Sequence, residues 1–85
     1  MAQPSARRTV TIVNPQGLHA RPADLFVRLA NRFAAQIGVR KENETVDGKS
    51  ILSILTLAAT QGSQLEIVAT GEDADAAIEA LAQLV

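Results

Sequence analysis

Apolar residues recur along this chain with two periods in alternation, every second residue in four segments and every third or fourth in three others. Arg8 to Val13 (RTVTIV) alternates, with Val10 and Ile12 on one side, and Asn14-Pro15-Gln16-Gly17 ends it, which predicts a strand and then a loop. From Ala20 to Phe33 the residues Phe26, Leu29, Ala30 and Phe33 fall on one face of a helix, opposite Asp24, Arg28, Asn31 and Arg32. Ala35, Ile37 and Val39 alternate again, Glu42-Asn43 turns the chain, and a short run with Val46 inward completes a hairpin that Gly48 ends. Ser50 to Ala59 reads as a second helix, with Ile51, Ile54, Leu55 and Ala58 filling the core and Leu52 and Ala59 left outside. Leu65 to Thr70 reads as a strand, and Asp73 to Val85 as a third helix with Ala74, Ala77, Ile78, Leu81 and Val85 inward. The order is βαββαβα. Because every strand has one apolar and one polar face, the pattern predicts an α+β fold, a four-stranded antiparallel sheet with three helices on one face and water on the other.

At 85 residues the chain has room for a single domain, taken here as residues 1–85, with too little interior for both a core and a deep enclosed active site. Any chemistry is expected at the surface. No cysteine and one histidine leave no material for disulfides, zinc clusters or thiol nucleophiles, so neither a metal nor another cofactor is expected. The apolar runs are far shorter than the roughly 20 residues that span a bilayer, and Met1 to Ala6 lacks the charged and apolar regions of a secretory signal. A soluble, cytoplasmic protein without membrane insertion is the expectation.

Charge is segregated. Met1 to Lys41 carries +6 and Glu42 to Val85 carries −7, within a total of −1. Such asymmetry points to a basic face for an anionic group or partner, or to two halves that neutralise each other once folded. Nucleic acid is a poor candidate, since both aromatic residues, Phe26 and Phe33, lie at core spacing and leave no stacking platform. Arg21, Arg28 and Arg32, seven and four residues apart, form one helical stripe suited to steering an acidic partner.

Two motif-like strings fail on inspection. Gly48-Lys49-Ser50 lacks the glycine that a phosphate loop needs five residues earlier, where Asn43 stands, and Asn43-Glu44-Thr45 is a glycosylation pattern without a secretory signal. The third string, Gly17-Leu18-His19-Ala20-Arg21-Pro22-Ala23, stands where a loop becomes a helix. Pro22 is tolerated only in a first turn, where backbone N–H groups have no intrahelical partner, so His19 falls at the N-cap or beside it. The free N–H groups near Ala20 and Arg21 and the positive end of the helix dipole suit a phosphate. A neutral imidazole is a nucleophile at physiological pH, and the Arg21 guanidinium matches phosphate oxygens. Ser50 in turn precedes an apolar helical run and reads as an N-cap, while Leu52 and the edge of Leu55 read as partner surface.

With these residues the chain resembles the histidine-containing phosphocarrier (HPr) family of the bacterial sugar phosphotransferase system, from the first strand to the last helix. The resemblance rests on Gly17 to Ala23 and on Lys49-Ser50-Ile51. It implies an open-faced β-sandwich and a group carrier, not an enzyme with turnover of its own. It implies that His19 accepts a phosphoryl group on Nδ1 from phosphorylated enzyme I and donates it to IIA domains of sugar permeases, with Arg21 steadying the phosphate. It further implies that Ser50 is a regulatory site for a serine kinase and phosphorylase, and that Ala20, Arg28, Ile51, Leu52 and Leu55 meet the partners of a monomeric carrier. Two related readings stand beside it: the carrier of the nitrogen-related branch, which shares the motif, and a regulatory binding module of the same fold without carrier duty, which would have no need of His19. Asp24, where a small neutral residue is the family expectation, and the N-terminal lead from Met1 to Ala6 are the visible departures.

Overall fold

The computed structural model describes residues 3–85; Met1 and Ala2, the start of the N-terminal lead, lie outside the described residues. Its elements are β1 (Ser5–Thr11), α1 (Ala20–Ala30), β2 (Gln36–Lys41), β3 (Glu44–Asp47), α2 (Ile51–Thr56), β4 (Gln64–Thr70) and α3 (Ala74–Leu84). The strands form one antiparallel sheet in the order β1-β4-β2-β3. Alternation decides which way each strand faces: Ile37, Val39, Leu65, Ile67 and Ala69 are buried under the helices. Arg7, Arg40 and Glu66 share the opposite face, where Glu66 lies 3.8 Å from Arg7 and 4.0 Å from Arg40. The helices close the core with Ala23, Phe26 and Ala30 from α1, Ile54 from α2, and Ala74, Ala77, Ile78 and Leu81 from α3. This is the open-faced α+β sandwich that the two hydrophobic periods predict.

Element ends depart from the sequence reading where tertiary contacts take over. The helical pattern through Phe33 ends in fact at Ala30, with Asn31 as its C-cap, and Phe33 packs half-buried in the turn beyond. α2 stops at Thr56 instead of Ala59, because Ala58 takes a left-handed conformation (φ 50°). That single residue exchanges two assignments: Ala58 is exposed and Ala59 is buried, the reverse of what an unbroken helix gives. β1 runs three residues earlier than read and releases Val13 to solvent, while Ile12 stays in the core and bonds through its backbone to Gly62 and Ser63.

Candidate functional site

The loop between β1 and α1 is shaped by backbone contacts. Asn14 to Gly17 is a turn in which Gly17 N–H donates to Asn14 O (3.0 Å) and the Asn14 side-chain amide donates to Gly17 O. Gly17 has φ +72°, and a Cβ placed there would lie 2.5 Å from Ala59 O and 2.9 Å from Thr60 Cα. Only glycine permits both the dihedral and the approach. Leu18 N–H then donates to Ala59 O (2.8 Å), and its side chain packs on the core. The supporting segment, Ala58 to Ser63, is itself fastened by Ser63 Oγ accepting from Thr60 N–H (3.0 Å) and by the Gln61 side chain donating to Val13 O (3.0 Å).

His19 follows as the N-cap of α1, in extended conformation (φ −93°, ψ −171°), with its carbonyl accepting from Ala23 N–H (3.0 Å). Its side chain is exposed and makes no capping hydrogen bond. Pro22 occupies the first turn without cost, since a third N–H there would have had no helical acceptor. Ala20 and Arg21 retain theirs, and among the described residues neither N–H has an acceptor. Arg21 is exposed and enters no ion pair among the described residues. A nucleophilic nitrogen, two free backbone donors, a dipole end and a guanidinium thus meet at one helix start, an arrangement suited to an anionic group.

The other residues singled out from sequence lie along α1 and α2. Arg28 donates to the Asp24 carboxylate at 2.9 Å, so the unexpected Asp24 is paired one turn along its own helix. Ser50 is the N-cap of α2, its Oγ accepting from Ser53 N–H at 3.3 Å. Asn31, just past the end of α1, donates to Lys49 O (3.3 Å), which places Ser50 at the end of α1 remote from His19; the exit of α2, at Ala59, is the end beside the His19 loop. Leu52 is 74% exposed, Ile51 and Leu55 are half-buried, and Ala20 is exposed. Sequence reasoning missed Ala59 and Thr60, which carry the loop of Gly17, and no local signal marks them. Among the described residues no three His, Cys, Asp or Glu side chains gather as a metal site, and no helix is long and apolar enough to cross a membrane.

The open-faced sandwich offers the chain's one histidine, exposed, at the start of the first helix. The model of the family described as PTS HPr component phosphorylation site matches residues 6–85. The chain is 49% identical over 74 residues to phosphocarrier protein HPr of Lysinibacillus sphaericus, covering 87% of this chain and 84% of that one. It is 44% identical over 69 residues to the HPr-like protein Crh of Bacillus subtilis, covering 81% of each. The crystal structure of phosphocarrier protein HPr from Bacillus anthracis superposes with a TM-score of 0.90 at 46% identity, covering 95% of this chain and 96% of the other. The chain belongs to the HPr family, the phosphocarriers of the phosphotransferase system.

Proposed function

We propose that His19 accepts a phosphoryl group on Nδ1 from phosphorylated enzyme I and delivers it to IIA domains of sugar permeases. The observation that carries this reading is the exposed His19 at the N-cap, with no side-chain partner, beside the free N–H groups of Ala20 and Arg21. In the transfer the Nδ1 lone pair forms the new N–P bond while the electron pair of the donor's N–P bond returns to the donor nitrogen. His19 keeps its proton on Nε2, so no separate base is needed. The two N–H groups and the Arg21 guanidinium hold the phosphoryl oxygens in the carrier state. Because enzyme I and the IIA domain supply the catalysis, the protein works as a carrier.

Leu52, with Ile51, Leu55 and the exposed Ala20 and Arg28, is the contact surface for those partners, an apolar patch with a basic border. Ser50 supports a regulatory reading. A phosphate there adds about −1.5 to −2 charges at the start of α2, where the dipole tolerates it and an acidic partner does not. Its distance from the His19 end argues that it acts on docking and not on the imidazole.

The test is a reconstituted relay of phosphoenolpyruvate, enzyme I, this protein and a IIA domain. Labelled phosphate should reach the IIA domain, fail to do so with His19→Ala, and move more slowly into Ser50→Asp at an unchanged melting temperature. Transfer by His19→Ala at the parent rate rejects the carrier reading. A protein that binds partners yet takes no label is the regulatory module that the resemblance to Crh brings to mind.

A further inference from the structure

The open face of the sheet carries a glycine that neither the core nor the phosphate site explains. The other glycines have a reason in the fold: Gly17, Gly62 and Gly71 take positive φ, and a Cβ on Gly48 would meet Ile37 Cγ2 at 2.6 Å. Gly38, in the middle of β2, has neither reason. Its φ is not positive, and a Cβ there would meet only Thr45 Cγ2 at 3.5 Å and Val46 O at 3.8 Å, both ordinary contacts. The ladder passes through it without a bulge, Gly38 pairing with Asp47 on one side and with Val68 on the other. A glycine inside a strand costs backbone entropy and packing. With no bulge, no strained dihedral and no second backbone pressed on it, what the missing side chain provides is room for a ligand to approach the sheet.

That room is an open depression of about 560 Å³, within the size range of small-molecule sites. Gly38 and Val68 give it a short apolar floor, and Gln36, Thr45, Asp47 and Thr70 stand around it. Register gathers them: Gln36 pairs with Thr70, Gly38 with Asp47 and Val68, and alternation turns all of these away from the helices. The rim then selects the ligand. An anion is repelled by Asp47, while the cation beside it, Lys49, is committed through Nζ to Phe33 O (2.7 Å). A flat aromatic ligand finds no aromatic side chain to stack on. A neutral molecule with several hydroxyls fits, because each hydroxyl donates and accepts, as do the Gln36 amide and the Thr45 and Thr70 hydroxyls. Asp47 Oδ1 accepts from Lys49 N–H (2.9 Å), which fixes the carboxylate and leaves Oδ2 to accept from such a hydroxyl.

We propose that the depression over Gly38 binds a neutral polyhydroxylated small molecule, a monosaccharide or sugar alcohol, with its C–H face on Gly38 and Val68 and its hydroxyls on the rim. Lys49, at its border, reaches Phe33 beyond the end of α1, so the site is remote from His19 and can be filled whether or not His19 carries phosphate.

The probes are glucose and mannitol, with inorganic phosphate as the anionic counterpart, each titrated into the full-length ¹⁵N-labelled protein. The amides of Gly38, Asp47, Val68 and Thr70 should shift together and saturate in the millimolar range with one or both neutral probes, and stay in place with phosphate. Asp47→Asn should weaken binding by about tenfold through loss of a charge-assisted acceptor, and Gly38→Val, which fills the depression, should abolish it. Gly38→Ala should raise the melting temperature, whereas a glycine that the fold requires would lower it on substitution. Both Gly38 variants should accept phosphate on His19 at the parent rate. The proposal is overturned if neither neutral probe saturates those amides, if phosphate moves them as strongly, if Gly38→Val binds like the parent, if Gly38→Ala lowers the melting temperature, or if the amides respond to protein concentration alone, which makes a second copy the occupant.

Discussion

The two ends of α1 are built on opposite principles. At the far end the carbonyls of Val27, Leu29 and Ala30 accept from Asn31, Arg32 and Phe33, and side chains fasten the turn that follows. Lys49 Nζ donates to Phe33 O (2.7 Å), Asn31 donates to Lys49 O, and the Asp73 carboxylate accepts from Ala34 and Ala35 N–H at 2.8 Å each. At the near end no side chain caps the helix, and the N–H groups of Ala20 and Arg21 are free. The loop there is held by main-chain contact, Gly17 and Leu18 against Ala59. One end is finished within the fold and the other leaves its backbone donors open, as the proposed phosphate site requires. Stability and group transfer should therefore respond to different residues of the same helix.

The largest effect is expected at Gly17. Gly17→Ala forces a left-handed conformation on alanine and drives its Cβ into Ala59 O, so the loop must lift, at a cost of about 2–3 kcal/mol. Urea unfolding and the rate of phosphate acceptance should both fall, since here the scaffold and the site are one structure.

Arg21→Ala separates them. One charge-assisted partner of the phosphoryl group is lost, and transfer should slow by roughly tenfold, about 1.4 kcal/mol, while the exposed side chain leaves the melting temperature in place. If rate and melting temperature move together, the near end is not the independent site described above.

Asp73→Asn should do the converse, lowering the melting temperature and sparing transfer. The N–H groups of Ala34 and, to a lesser degree, Ala35 hold the Asp73 carboxyl below the ordinary carboxylate range, against a smaller opposing effect of burial. A carboxyl with a depressed folded-state pKa stabilises above its unfolded value of about 3.9 and loses that contribution as pH falls through the folded value. The difference between parent and Asp73→Asn should be complete near pH 7 and shrink below about pH 4 in thermal scans. A difference that persists unchanged to pH 2 contradicts the role of the ionised carboxylate.

The smallest effect is a gain. Ala58→Gly removes a left-handed alanine at the end of α2 and should stabilise by about 0.5–1 kcal/mol, read as a rise of a few degrees in melting temperature. Stabilisation with a slower transfer would show that Ala58 also stiffens the support under Gly17.

The same contrast explains what could be read from residues alone. Element order, sheet face and the His19 helix start follow from local periodicity and from Pro22, because these depend on neighbours within a few positions. The strand of Ile37 and Val39 and the cap at Ser50 are legible for that reason. The ties that finish the far end join Asp73 to Ala34 and Lys49 to Phe33, across 39 and 16 residues, and nothing in the local pattern announces them. Ala58 misled the reading of α2 because alanine is the best helix former, and here tertiary packing places it in the one conformation a helix excludes. Asp24 is an unexpected residue just past the motif but finds its partner, Arg28, one turn away.

The central claim is that the open end of α1 is the acceptor, through His19 Nδ1. Phosphorus and ¹⁵N-histidine NMR of the protein incubated with phosphoenolpyruvate and enzyme I tests it most directly. The account predicts one acid-labile, base-stable phosphate whose coupling lies on Nδ1 of His19, with the amides of Ala20 and Arg21 shifted as they take up phosphoryl oxygens and those of Ala34 and Ala35 unmoved. A phosphate attached to Nε2 or to a hydroxyl, or a phosphorylated His19 that leaves the Ala20 and Arg21 amides where they were, would contradict it.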